Sequence, residues 1–251
     1  MGTAYDSLGL CVTPHFDSDF RHIGLMHSDD EGKTWIFDRW VLTAEEVCFT
    51  RAYDPGAGLA RGQEIGKIGL GSGDFSLYVE PDGEYMYLVY NILRVDMENF
   101  SWEGCDVCIA RTRKRKDGIM GDFVKFYNGN FCEAGNLGKE TPIVSLAWHA
   151  RISYLRKYEL FLMTSCPMRP GKDISGTIEN VMEIRTSEDM LVWSAPVRLT
   201  RNGKEFGNHY VALCSDDKIS PPNVVPDDGF SVLTNHNGTD VLRYKSKFIK
   251  K

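Results

Sequence analysis

The sequence has almost none of the periodicity that α-helices require. Apolar residues seldom recur at spacings of three or four, which argues against a helical protein. Short runs rich in Val, Ile, Leu, Tyr and Phe occur instead, separated by clusters of Asp, Gly, Asn and Pro. This alternation of strands and turns predicts an all-β fold.

Other absences narrow the class of protein. No apolar run approaches the ~18 residues of a membrane span, and no signal-peptide pattern follows Met1. We therefore expect no membrane partner and a cytoplasmic location as written, or a secreted or periplasmic one if the N-terminus is truncated. The net charge of −6 argues against a nucleic-acid binder. We interpret the basic run 111–116 as a solvated strand end rather than a phosphate-binding patch.

Cysteines are also too few and too scattered for a disulfide framework. There are seven, an odd number, and most lie in apolar runs, which predicts buried free thiols. Cys105 and Cys108 form a CxxC pair, but residues three apart in a strand point to opposite faces. We therefore predict no metal site there.

The strand-like runs fall into four successive groups of about four strands each, and the first and last groups are incomplete. The groups comprise 4–12, 22–28 and 35–43; 76–80, 84–91, 106–112 and 122–128; 141–149, 157–165, 180–187 and 193–200; and 209–215, 229–237 and 240–248. Repeated four-stranded meanders predict a β-propeller, whereas a β-sandwich predicts no such period. At 42% hydrophobic, the chain can form one domain over 1–251.

The segment 27–37, HSDDEGKTWIF, matches the Asp-box pattern S-x-D-x-G-x-T-W between two strands. Asp30 can accept hydrogen bonds from the backbone of its own turn, and Gly32 permits a positive φ. We expect Trp35 to bury its ring against the sheet. A clasp that locks the hairpin is favoured over a metal or catalytic loop, and 187–193 reads as a degenerate copy without the glycine.

In a propeller the first strand of each blade lines a central channel, so residues just before these strands meet at one mouth. Asp74, Glu140 and His209 occupy that position in three successive groups. Two carboxylates across a mouth fit glycoside hydrolysis, where inverting enzymes place them about 6.5–9.5 Å apart. The alternative for Asp74 and Glu140 is hydrogen bonding to amides at the strand end.

Three further residues are candidates for substrate binding. Trp148 and His149 follow the apolar run of the predicted first strand, at the C-terminal end of 141–149. Trp148 could stack on a sugar ring or pack in the core, and His149 could contact ligand or play a structural part. His209 could approach the axis or make a structural hydrogen bond.

Two stretches carry a resemblance to known proteins. GDFSLYVEPDGEYMYLVYN (73–91) and KETPIVSLAWHARISYLRKYELFLM (139–163) resemble the five-bladed β-propeller glycosidases of glycoside hydrolase family 43 and related families. The resemblance implies a carbohydrate substrate, Glu140 as the general acid and Asp74 as the residue that tunes its pKa. It implies no cofactor, although the channel could hold Ca²⁺ or another cation.

The same resemblance leaves one position unfilled. In that family the catalytic base is an Asp on the first strand of the first blade, and this chain opens on what reads as a second strand. The ring could therefore be incomplete in this chain, and an oligomer could complete it. The alternatives are a non-catalytic carbohydrate-binding or scaffold propeller, and a sialidase-like exo-glycosidase, which would need an arginine cluster and a nucleophilic tyrosine.

Overall fold

The fold is described by a computed structural model. It covers residues 2–3, 20–44, 67–81, 83–96, 101–115, 120–169, 181–207, 210–216, 221, 223–225, 229–236 and 240–247. Regular structure within these ranges is β-strand, apart from one short 3-10 helix at Arg156–Tyr158. The prediction of an all-β fold is confirmed. No helix in these ranges is long and apolar enough to cross a membrane.

The strands are numbered in chain order through the described residues. They are β1 Gly2–Thr3, β2 Phe20–Arg21, β3 Ile23–His27, β4 Ile36–Leu42, β5 Lys67–Val79, β6 Tyr85–Asp96, β7 Ser101–Arg113, β8 Val124–Tyr127, β9 Asn130–Ala134, β10 Ala147–Leu155, β11 Leu160–Pro167, β12 Glu183–Ser187, β13 Val197–Arg198, β14 Thr200–Arg201, β15 Lys204–Glu205, β16 Val211–Ser215, β17 Val224–Val225, β18 Gly229–His236 and β19 Asp240–Lys247.

Four antiparallel meanders follow one another along the chain. The first is β3–β4, the second β5–β6–β7–β8 with β9 added, the third β10–β11–β12–β13, and the fourth β16–β18–β19. Strand β2 joins β5 through one parallel pair, and β17 pairs in parallel with β10. Within the described ranges the sequential meanders follow the order of the predicted groups, and the predicted strand 4–12 lies outside those ranges. Closure of these sheets into a five-bladed ring stays a prediction, as does a single domain over 1–251.

The second meander is buried on both faces. Because side chains alternate along a strand, Val89 and Ile109 pack with Ile152 of the third meander, while Leu88 and Cys108 lie on the other face. That second face packs with apolar side chains of the first meander. Burying a large apolar side chain stabilises a fold by about 1.5–3 kcal/mol. Stacking of sheets therefore supplies the core.

The first strand of the third meander begins later than the sequence predicted. Residues 141–149 were expected to form it, but β10 starts at Ala147. Ile143 and Val144 precede it in an irregular segment, where both pack on the core and bond to the backbone of Val107. The apolar residues Ile143 and Val144 therefore pack on the core without forming part of a regular strand.

The turn after β3 is closed by the side chain of Asp30. Its carboxylate accepts hydrogen bonds from the Thr34 amide at 2.8 Å and the Thr34 hydroxyl at 2.7 Å, which lower its pKa to about 2. Gly32 has φ +84°, as expected. The burial predicted for Trp35 is wrong: its ring is 59% exposed, because the indole folds back to donate to the Gly32 carbonyl.

The second copy of this turn is one residue shorter. Ser187 donates to Asp189, and Asp189 accepts from the amide of Val192. Met190 has φ 64°, so a methionine here adopts the left-handed conformation that the first copy places at Gly32. The indole of Trp193 again donates back into the turn, to the Met190 carbonyl.

Candidate functional site

Asp74 lies in an irregular part of β5. The pairing of β5 with β6 is interrupted between Gly73 and Ser76, and Asp74 has φ 45° in this bulge. Bulges re-aim a side chain out of the regular ladder. The carboxylate of Asp74 is about one quarter exposed and turns towards side chains from other strands.

Side chains from three chain segments surround the Asp74 carboxylate. The indole of Trp148 donates a hydrogen bond to Asp74 Oδ2 over 3.1 Å, and Arg21 Nη1 lies 3.6 Å from the same oxygen. His149 Nδ1 lies 3.9 Å from Asp74 Oδ1, and the His149 ring lies 4.2 Å from that of Tyr210. We call Arg21, Asp74, Trp148, His149 and Tyr210 the Asp74 cluster.

The predicted position of Trp148 and His149 needs correction. Because β10 begins at Ala147, both residues open the strand instead of lying at its end. The pairing of β10 with β11 is interrupted between Trp148 and Arg151, and His149 has φ 54° there. The third meander thus repeats the bulge of the second, and the repeat brings the two predicted substrate-binding residues to Asp74.

Tyr210 is the contribution of the fourth meander, directly before β16. It has φ 48° and is 49% exposed. Burial, and then the charge of Asp74, raise the pKa of its phenol. The candidate predicted from this stretch was the neighbouring His209, which lies outside the described residues. The same signal, a polar residue just before a first strand, would also have indicated Tyr210.

Three residues of the cluster share an uncommon backbone conformation. Asp74, His149 and Tyr210 all have positive φ, each at the first strand of a successive meander. This conformation is uncommon outside glycine and is a true outlier for a bulky side chain such as tyrosine. Such strain persists only where the surrounding structure holds it, and it concentrates at functional sites.

Asn91 holds one of these strained segments. This buried side chain of β6 donates to the carbonyls of Ala147 at 2.9 Å and Asp106 at 3.2 Å, and accepts from the His149 amide at 3.0 Å. It therefore fixes the start of β10 against the second meander. Asn91 was not selected from the sequence, because a lone Asn in an apolar strand gives no sign of its partners.

Two arginines reach the same region. Arg21 comes from the short strand β2 and Arg151 from β10. Arg151 Nη1 donates to the carbonyl of Phe75, beside Asp74, over 2.7 Å. Burial lowers the pKa of Arg151, and the charge of Asp74 opposes that effect.

Glu140 has different surroundings. It lies in the segment between β9 and β10, and its side chain is 8% exposed. The Tyr90 hydroxyl donates to it over 3.2 Å, and the ammonium of Lys125 forms a close ion pair with it. Lys125 is fully buried and also donates to the carbonyls of Thr43 and Gly138. The role of Glu140 as general acid stays a prediction.

The cysteines of the CxxC pair are free and buried on opposite faces of β7. Cys105 Sγ donates to the Ala147 carbonyl over 3.3 Å, on the side of Asp74, and Cys108 packs in the core towards the first meander. Burial raises the pKa of both thiols well above the usual range. Within the described ranges, no group of three or more His, Cys, Asp and Glu side chains is placed to hold a metal ion.

Comparison with known proteins gives one structural likeness. No protein-family model and no curated protein matches the sequence. Among solved structures, the chain has a likeness to the crystal structure of an N-acetylgalactosamine deacetylase from F. plautii in complex with blood group B trisaccharide. The identity is 12% and the TM-score 0.42, over 87% of this chain and 59% of that chain. This chain thus spans about three-fifths of the length of the deacetylase.

Proposed function

We propose that this protein is a glycosidase-like propeller that binds a glycan at the Asp74 cluster. The observation that carries the proposal is the repeated left-handed residue at the first strand of three successive meanders. The repeat brings a carboxylate, an imidazole and a phenol from distant parts of the chain to one place. Strain repeated in this way supports a binding or catalytic role rather than chance packing.

The chemistry of the cluster suits a sugar. A pyranose or furanose ring presents hydroxyl groups at its rim and a less polar face. Asp74 and Arg21 offer a charged acceptor and a charged donor, which form hydrogen bonds about twice as strong as neutral ones. The exposed ring of Tyr210 offers a flat surface with a polar edge, as in many small-molecule sites, and the rings of His149 and Trp148, each 4% exposed, lie buried behind it.

Hydrolysis is the further step of the proposal. The resemblance assigns proton donation to Glu140 and pKa tuning to Asp74, and the base has no assigned residue. A general acid must carry a proton and reach the leaving oxygen. The burial of Glu140 and its ion pair with Lys125 favour the second candidate function, a propeller that binds glycan without cleaving it.

A screen separates these two functions. The protein would be tested for turnover of aryl arabinosides, xylosides, galactosides and sialosides, and for binding on a glycan array. We expect Tyr210→Ala to lose at least tenfold in affinity for any glycan that binds, because Tyr210 is the exposed ring of the cluster. Trp35→Ala is the matched control, because that side chain is also exposed and lies in the turn after β3.

Turnover of any glycoside that Glu140→Gln abolishes, with the variant still folded, supports hydrolysis. Binding without turnover supports the second candidate. Equal affinity of wild type and Tyr210→Ala would show that the Asp74 cluster is not the glycan site.

A further inference from the structure

A groove lies beside Tyr85, the first residue of β6, away from Asn91. Its volume is about 360 Å³, and its lining residues are Tyr85, Arg111, Thr112, Arg113, Arg115, Gly121, Asp122, Val124 and Phe131. Tyr85 precedes Asn91 by six residues, which is about 20 Å along an extended strand. The groove is therefore separate from the Asp74 cluster, and an inference about it does not depend on the proposed function.

Arg111 is held in place in this groove by two aromatic rings. Its guanidinium carbon lies 4.3 Å from the centre of the Tyr85 ring and 4.2 Å from that of Phe131. Within the described residues, no carboxylate forms an ion pair with Arg111. Stacking covers the two faces of the planar cation and leaves its N–H edge for hydrogen bonds.

Neighbouring charges add to this positive site. Arg111, Arg113 and Arg115 alternate along the chain, so they lie on one face of β7 and its continuation. Arg113 lies 3.6 Å from Glu84, and both side chains are largely exposed. The carboxylate in the lining, Asp122, lies 3.8 Å from Arg39 outside the groove. The lining thus holds three guanidinium groups and one carboxylate, Asp122, and Arg113 also has Glu84 nearby.

We propose that this groove binds a small molecule that carries a phosphate or sulfate group. Arg111 binds the oxyanion through N–H groups on the edge that stacking leaves open, beside its hydrogen bond with Tyr87, and Arg113 and Arg115 add positive charge. Arginine suits this geometry because its fork matches two oxygens of one tetrahedral group. The volume of the groove is in the range of small-ligand pockets, about 300–1,000 Å³. Three arginines of the run 111–116, which we interpret from the sequence as a solvated strand end, then contribute to a binding site: Arg111, Arg113 and Arg115.

The test is titration of the intact protein with inorganic phosphate, with sulfate and with a sugar phosphate against the same unphosphorylated sugar. Calorimetry gives the affinity, and NMR maps the residues that shift. We expect saturable binding of the sugar phosphate, with shifts at Tyr85, Arg111 and Phe131. Arg111→Met should weaken it at least tenfold. Arg201→Met is the matched control, because Arg201 also lies over an aromatic ring, Tyr244, at 4.7 Å.

Arg111→Lys keeps the positive charge without the planar fork, and it should weaken binding nearly as much as Arg111→Met. Tighter binding of the sugar phosphate than of inorganic phosphate or sulfate would identify a phosphorylated ligand, and tighter binding of sulfate a sulfated one. Either result supports the site. The proposal is overturned if none of the oxyanions binds wild type saturably, or if Arg201→Met weakens binding as much as Arg111→Met.

Discussion

The carboxylates of Asp74 and Glu140 meet different partners. Asp74 is about one quarter exposed and faces an indole, a guanidinium and an imidazole that come from other strands. Glu140 is 8% exposed and forms an ion pair with Lys125, whose ammonium also binds two main-chain carbonyls. Asp74 is held by a strained bulge, whereas Glu140 is held by a buried polar network.

This difference indicates a binding role for Asp74 and a structural role for Glu140. The carboxylate of Asp74 lies at a partly open position, where a ligand hydroxyl could join its partners. The partners of Glu140 connect parts of the fold: Thr43 follows β4, Lys125 lies in β8, and Gly138 follows β9. We therefore expect changes at Asp74 to alter binding, and changes around Glu140 to alter the free energy of unfolding.

The largest effect is expected at Lys125. Lys125→Met leaves the Glu140 carboxylate buried without its ion-pair partner, and such a change costs about 3–5 kcal/mol of unfolding free energy. Chemical denaturation measures it, with Lys139→Met as the control, because that lysine is exposed. Combining Lys125→Met with Glu140→Leu should recover much of the loss. If Lys125→Met lowers the free energy of unfolding by less than about 1 kcal/mol, the pair of Lys125 and Glu140 does not have the structural role assigned to it.

A smaller effect, on affinity rather than stability, is expected at Asp74. Asp74→Asn keeps the shape and tolerates positive φ, but it loses the charge that strengthens hydrogen bonds to a sugar. Affinity for the glycan should fall about 10–100-fold, the range expected for a charged hydrogen bond. Asp122→Asn, a change at an exposed carboxylate, is the control. If Asp74→Asn unfolds more easily but binds the glycan normally, Asp74 has a structural role, as we expect for Glu140.

Acid sensitivity should come in part from His22, next to Arg21 of the Asp74 cluster. Burial lowers the pKa of His22 from 6.5 to about 4. Its contribution to stability is therefore full above pH 6.5 and is lost as the pH falls towards 4. We expect a loss of roughly 1–2 kcal/mol, allowing for solvent screening. Urea midpoints measured across this pH range should change less in His22→Asn, and an unchanged slope would exclude His22 as the cause.

The smallest effect is expected at Gly32, outside both regions. Its φ of +84° strains any residue with a Cβ, so Gly32→Ala should lower stability by about 1 kcal/mol. Affinity for the glycan should not change. The variant gives the baseline for a loss of stability that leaves the Asp74 cluster intact, and a parallel loss of affinity would show that the two properties cannot be separated.

The sheets could be predicted because alternation and turn residues mark strands locally. The exact start of β10 could not, because Ile143 and Val144 pack on the core without forming a regular strand. Because β10 starts six residues later than predicted, Glu140 does not directly precede it. Trp148 and His149 lie at the actual start of the strand. The approach of Arg21 and Tyr210 to Asp74 depends on contacts between distant segments, which local pattern does not encode.

The most direct test compares glycan affinity in wild type, Asp74→Asn and Glu140→Gln, each at a protein concentration corrected for the folded fraction. The glycan is the tightest binder from the array, measured by calorimetry. We predict that Asp74→Asn binds at least tenfold more weakly, while Glu140→Gln stays within about twofold of wild type, whatever happens to turnover. Full affinity in Asp74→Asn, together with a large loss in Glu140→Gln, would contradict the assignment of the glycan site to the Asp74 cluster.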